Sequence, residues 1–255
     1  MKCPEGKSTA SAADLPRWGA VRRNEKAQQI LSVIQTRLSS SIELKEAVIC
    51  DLGCGNGVIS ANFAPLVRHV YAIDPEPWPT WPALAGKSTN LEFINEPVES
   101  LSLPDAIADI VICNQVYEHV ASPQLLIASI HRLLKPGGLA YFAGPNLLWP
   151  IEPHTFWPIV HWLPRKFSVG LMRFLGSNAI LDANSASYWT LRRWLNEFSI
   201  CSGLQHVVFH RTQQLSPVLA HAVVNRIPEV VWRAINPVAP GFVFLLEKNR
   251  ESKVT

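Results

Sequence analysis

Val48-Ile49-Cys50-Asp51-Leu52-Gly53-Cys54-Gly55-Asn56-Gly57 is the stretch that decides how this chain folds. It opens on an apolar run that meets no charge until Asp51, the pattern of a strand buried on both faces. Glycines then stand at alternate positions, 53, 55 and 57. Glycine lets the backbone take left-handed angles and lets a ligand come close to it. Residues 57–66 follow as a short helix, so a helix N-terminus points back at the turn. Asp74 lies 21 residues after Gly53, closing a second apolar run at 69–73. An acidic side chain at that place accepts both hydroxyls of a ribose. A turn that only packs would explain the glycines. It would leave the strand, the helix and Asp74 as coincidences.

Outward from this stretch the pattern repeats. Residues 22–38 read as a helix, with Ala27, Ile30, Leu31, Ile34 and Leu38 at helical spacing. Residues 91–94 and 108–113 read as a third and a fourth strand, and 124–134 as a helix. Lys135-Pro136-Gly137-Gly138 is a stop signal, and residues 139–143 form a fifth strand. Strands that alternate with helices at this spacing build a parallel sheet covered on both faces. After Pro145 the alternation fails. Residues 146–185 are rich in Trp, Pro, Phe and Leu and read as an insertion. Helix returns at 188–198, a sixth strand is expected within 201–210, residues 217–235 read as mostly helical, and 241–246 as the last strand.

Two nucleoside ligands compete for the loop. A dinucleotide site usually carries G-x-G-x-x-G, with a pyrophosphate on the helix N-terminus. Here the spacing is G-x-G-x-G, and Asp51 stands two residues before the first glycine. A carboxylate there repels a pyrophosphate and suits an ammonium group. S-adenosylmethionine has such a group and no phosphate, so the charge favours it over NAD.

At this point a family resemblance emerges. Asp51-Leu52-Gly53-Cys54-Gly55-Asn56-Gly57 resembles the first motif of class I S-adenosylmethionine-dependent methyltransferases. Tyr71-Ala72-Ile73-Asp74 resembles their acidic second strand end, and residues 109–120, ending Glu118-His119-Val120, their fourth strand and the turn after it. Arg132-Leu133-Leu134-Lys135-Pro136-Gly137-Gly138 resembles the segment before their fifth strand. The likeness is to the UbiE or type-11 kind and covers residues 45–145. It implies a Rossmann-like, mostly parallel seven-stranded α/β sheet. It implies that Gly53 and Gly55 approach the methionine and ribose parts of the cofactor, that Asp51 serves its amino group, and that Asp74 holds its ribose. Val98 and Glu99 fall at the adenine contacts, and the backbone of Asn114 at the methionine end. Where many members carry an Asp for the adenine amino group, this chain has Pro97. Glu96, Glu99, or backbone and packing alone take its place.

Methyl transfer from a sulfonium needs alignment and exclusion of water. It needs a base only when the nucleophile starts protonated. His119 and His154 are the candidate bases. His119 follows the fourth strand, at the sheet edge where ligands bind. His154, in Pro150-Ile151-Glu152-Pro153-His154, begins the insertion, and Glu152 could orient it. Each also reads as an ordinary loop histidine. Glu118-His119 and Glu152-x-His154 match no metal-ligand spacing, so no metal is expected.

The rest of the chain sets bounds. Hydrophobic residues make up 48% and charged residues 17%, enough for a large core and too few charges for a disordered chain. The net charge of +3 is not clustered, which argues against a nucleic-acid partner. Five cysteines, without a C-x-x-C, suit reduced thiols in the cytoplasm. Residues 1–21 are expected to be a flexible N-terminus without a signal peptide, and 22–255 a single domain. Four of the nine Trp (149, 157, 162, 189) fall in or beside the insertion, with Arg165, Lys166 and Arg173. This segment reads as an aromatic-rich helical lid over a small-molecule or lipid-like acceptor, or as a peripheral contact with a membrane. The expected reaction is O-methylation of a hydroxyl, with C-methylation of a quinone-type ring as its variant. An NAD(P)-binding oxidoreductase and a non-catalytic cofactor-binding scaffold are the alternatives.

Overall fold

The computed structural model describes residues 20–39, 42–151, 157–177 and 184–249. Seven strands form one sheet in the order β3-β2-β1-β4-β5-β7-β6. They are β1 (Val48–Leu52), β2 (His69–Ile73), β3 (Leu91–Ile94), β4 (Ala108–Asn114), β5 (Leu134–Pro145), β6 (Phe198–Ser202) and β7 (Gly241–Lys248). The first five run parallel, and β7 runs antiparallel between β5 and β6.

Alternation along each strand sends side chains to two cores. Cys50, Leu52, Val111, Cys113, Ala140 and Phe142 face one, Ile49, Ile110, Ile112 and Tyr141 the other. Both faces of the central strands are therefore apolar, and β1 is buried at every position. The first face is covered by α4 (Pro123–Leu133) and α6 (Tyr188–Trp194) through Leu126, Ile130, Leu133 and Leu191. The second is covered by α1 (Ala20–Gln35), α2 (Val58–Phe63), α3 (Trp81–Ala85) and α7 (Leu204–Leu215). Their contacts include Ile30 and Ile34 of α1, Phe63 of α2, Trp81 of α3 and Val207 of α7. The insertion contributes α5 (Arg165–Phe174), and two short helices, α8 (Pro217–Ala222) and α9 (Glu229–Ile235), precede β7.

Two sequence expectations shift. The strand expected within 201–210 ends at Ser202, and Gly203 turns the chain into α7. Val207, Val208 and Phe209 look like a strand in isolation. Helix geometry instead places Val207 against the core beside α1, and tertiary packing outweighs β propensity. The Lys135-Pro136-Gly137-Gly138 segment ends α4 as expected but is already inside β5, at a register shift opposite Ala108 and Ile110.

Among the described residues no helix is long and apolar enough to cross a membrane. Cys50, Cys54 and Cys113 are buried free thiols, and Cys201 is a half-buried one.

Candidate active site

β1 ends at Leu52, and the backbone turns left-handed at once. Gly53 has φ 68° and Gly57 has φ 75°, conformations that side chains resist. A Cβ on Gly53 would lie 2.5 Å from a methyl of Val116, and one on Gly57 2.5 Å from the Phe93 ring. The glycines are thus required by the fold itself.

The loop between them is strapped down. The amides of Gly53 and Cys54 both donate to the carbonyl of Ile73. Trp81 Nε1 donates to the carbonyl of Gly55 at 2.8 Å, and the Thr80 hydroxyl to that of Asn56 at 2.7 Å. The Gly55 amide donates to Asp74 Oδ2 at 2.9 Å, and the Glu76 amide to Oδ1 at 3.0 Å. Partial burial raises the Asp74 pKa, while the two amides and a hydrogen bond from Trp78 oppose that rise.

A cavity of about 830 Å³ opens over this loop. Gly53, Gly55 and Asp74 line it, with Pro97, Val98 and Glu99 beyond and Asn114, Val116 and His119 beyond β4. It therefore lies at the carboxyl ends of β1, β2 and β4, where open α/β sheets bind ligands. Of the residues singled out from sequence, Gly53, Gly55, Asp74, Val98, Glu99, Asn114 and His119 are brought together here.

Three residues stand elsewhere. Asp51 is buried under the floor and does not line the cavity; Ser60 donates to its Oδ2 at 2.5 Å. Burial pushes its pKa up to about 7, against the pull of the Ser60 hydroxyl and of Arg23. Glu96 is committed to Ser102, whose amide and hydroxyl both donate to it at 2.8 Å. Glu99, and not Glu96, therefore lines the cavity. His154, with Glu152, lies outside the described residues.

The turn after β4 has a structural task of its own. The Tyr117 hydroxyl donates to the carbonyl of Pro145 and accepts from the amide of Ala186. Glu118 is fully buried, with its Oε1 3.9 Å from His119 Nε2. His119 itself is half exposed at the cavity wall. Gln115 sits beside it at φ 61°, an uncommon angle for a residue with a side chain, fixed by its amide on the carbonyl of Ala143.

The opposite wall was not anticipated. Arg22, Arg23, Lys26 and Gln29 of α1 line it, with His210 and Arg211 of α7. Their signal in the sequence is faint: residues 22, 26 and 29 share one helix face. No described residue of the 146–185 insertion lines this cavity, so the wall facing the loop is polar and basic and not aromatic.

These residues suit a nucleoside that carries a cation. Asp74 keeps acceptor capacity for ribose hydroxyls, and Asn114 Oδ1 is buried without a hydrogen-bond partner in the protein. That orphaned acceptor fits a donor such as an ammonium group. Among the described residues no cluster of His, Cys, Asp or Glu could hold a metal ion.

The sheet order, with β7 antiparallel and the glycine loop at the carboxyl edge, is that of the class I S-adenosylmethionine-dependent methyltransferase fold. Residues 50–142 match the family described as "Methyltransferase domain". The chain is 32% identical over 140 residues to the ubiquinone biosynthesis O-methyltransferase of Xanthomonas oryzae pv. oryzae (strain PXO99A), which spans 53% of this chain and 59% of that protein. It is 30% identical over 149 residues to the enzyme of the same name from Cereibacter sphaeroides (strain ATCC 17029 / ATH 2.4.9), covering 54% and 58%. The match thus spans under two thirds of these relatives' length. Among solved structures, the 1,6-didemethyltoxoflavin-N1-methyltransferase of Burkholderia thailandensis, with bound 1,6-didemethyltoxoflavin and S-adenosylhomocysteine, superimposes with a TM-score of 0.52. It is 18% identical, covers 89% of this chain and 78% of that one, and so demonstrates the shared fold.

Proposed function

We propose that the chain transfers a methyl group from S-adenosylmethionine to a hydroxyl of a small, quinone-like or phenolic acceptor. The observation that carries this reading is the cavity that joins the Gly53–Gly57 loop, Asp74 and His119 at one sheet edge. When bound, S-adenosylmethionine supplies a methyl activated by its sulfonium. Asp74 would accept from the ribose hydroxyls, Asn114 Oδ1 from the amino group, and Val98 and Glu99 would border the adenine. Val116 and Val120 would keep water from the methyl. A phenol loses its proton as its oxygen attacks, and His119, exposed at the wall, would take that proton. The relatives named for ubiquinone biosynthesis support the acceptor class.

Assay of S-adenosylhomocysteine release with catechol-type phenols tests the reading. Turnover that depends on the phenol is expected. His119→Ala should lower kcat about 100-fold or more, the usual size of general-base catalysis, with cofactor affinity unchanged. An unaltered kcat would take His119 out of the reaction, and tight NAD(P) binding without cofactor turnover would replace the methyltransferase reading.

A peripheral membrane contact rests on α5. Its inward face buries Ser168 and Met172, while Phe167 and Phe174 are 72% and 87% exposed. Leu171 lies between them on the same outward stripe, with Arg165, Lys166 and Arg173 alongside. An apolar stripe among basic residues suits an anionic lipid surface.

A further inference from the structure

The cavity carries opposite charge at its two ends. Asp74, Glu76 and Glu99 stand at the nucleoside end. Across from them, α1 and α7 present Arg22, Arg23, Lys26 and Arg211, and Glu25 is the only carboxylate on either helix. Arg23 is close enough to the buried Asp51 to draw its pKa down. The carboxylate of a bound cofactor would call for one cation more, and Arg22 on the same wall would supply it.

Lys26 and Arg211 remain. Lys26 is half-buried, and its ammonium donates to Gln29 Oε1 at 2.8 Å, a neutral acceptor. Among the described residues neither Lys26 nor Arg211 has a carboxylate within ion-pair distance. Burial, then Arg211, then Arg23 pull the Lys26 pKa down to about 8. Cations that crowd one another in a cleft, without a counter-ion, are costly. An anionic ligand relieves that cost, and low-dielectric walls focus the attraction on it.

We infer that Lys26 and Arg211 form an anion subsite beside the cofactor space, and that the acceptor carries a carboxylate or phosphate group there, apart from the hydroxyl that is methylated. Part of this rests on the methyltransferase reading, since the cofactor takes up the nucleoside end. The subsite narrows the acceptor class from a neutral quinone-like ring to an acidic one. It also assigns the specificity to α1 and α7, outside the segment that binds the nucleoside.

Titration of the full chain, saturated with S-adenosylhomocysteine, with inorganic phosphate and separately with benzoate tests this by calorimetry. At least one anion should bind while the cofactor product stays in place. Lys26→Gln and Arg211→Gln should each weaken that binding tenfold or more and leave the S-adenosylhomocysteine affinity within threefold. Lys26→Arg should retain it, which separates charge from a folding defect. The preferred anion tells phosphate from carboxylate. The inference is overturned if neither anion binds, if both Gln variants bind it as the unaltered chain does, or if they weaken S-adenosylhomocysteine instead. That last result would hand both cations to the cofactor's own carboxylate. If S-adenosylhomocysteine itself fails to bind, the methyltransferase reading falls, and titration of the ligand-free chain still reads the two cations.

Discussion

Asp74 and Asp51 sit at the ends of adjacent strands and do different work. Asp74 lines the cavity and is held by two amides, so in the proposed role it would need no rearrangement to receive a ribose. Asp74→Ala should cost about 1–3 kcal/mol of cofactor affinity, the worth of hydrogen bonds to a charged group. Calorimetry with S-adenosylhomocysteine reads this, and an unchanged affinity would move the ribose elsewhere. Asp51 acts from below the floor, and its charge depends on pH. Its pKa rises from 3.8 to about 7 because burial disfavours the ion. The folded chain then holds a proton that the unfolded chain has released, so this group makes stability fall as pH rises from about 4 to 7. A cofactor ammonium bound above the floor would favour the ionised form. Binding at pH 6 should therefore release a proton, seen as a binding enthalpy that changes with the ionisation heat of the buffer. Equal enthalpies in all buffers would separate Asp51 from the ammonium. The positions of both aspartates were legible in the sequence, because each closes an apolar run at a fixed distance from the glycines; that Asp51 lies under the floor and not in the cavity was not. Lys26 and Arg211 were not, because the site joins residues 185 positions apart through helix packing.

The strands and the glycine loop were readable as elements because parallel strands buried on both faces leave unbroken apolar runs. Their ends were harder to place. The run Val207-Val208-Phe209 imitates a strand, and only its packing against the core beside α1 makes it helix. The close approach of β5 to the turn after β4 was also invisible. A Cβ on Gly144 would overlap the ring of Tyr117, and that ring carries the hydroxyl that ties Pro145 to Ala186. Gly144→Ala should thus destabilise the fold by about 1–3 kcal/mol, the usual cost of overpacking, measured by urea unfolding. A stability within 0.5 kcal/mol would mean that the turn yields freely. The α5 stripe behaves in the opposite way. Phe167→Ser with Phe174→Ser removes exposed rings only, so unfolding should change by less than about 0.5 kcal/mol per site. Sedimentation with anionic vesicles should fall severalfold, and undiminished sedimentation would acquit α5.

At the scale of the molecule, the apolar and the charged parts of the chain turn out to be separated. The high hydrophobic fraction fills the two cores of the sheet and surfaces again on α5, α8 and α9. The cavity between the sheet edge and α1 and α7 is acidic at one end and basic at the other. An aromatic insertion after β5 suggested an apolar acceptor space, yet the described part of that insertion stays away from the cavity. The cavity should therefore bind S-adenosylmethionine and not a dinucleotide. Isothermal titration of the full chain with S-adenosylhomocysteine, and in parallel with NAD, measures both affinities. Saturable one-to-one binding of S-adenosylhomocysteine with none of NAD is predicted. Binding of NAD without S-adenosylhomocysteine would contradict it.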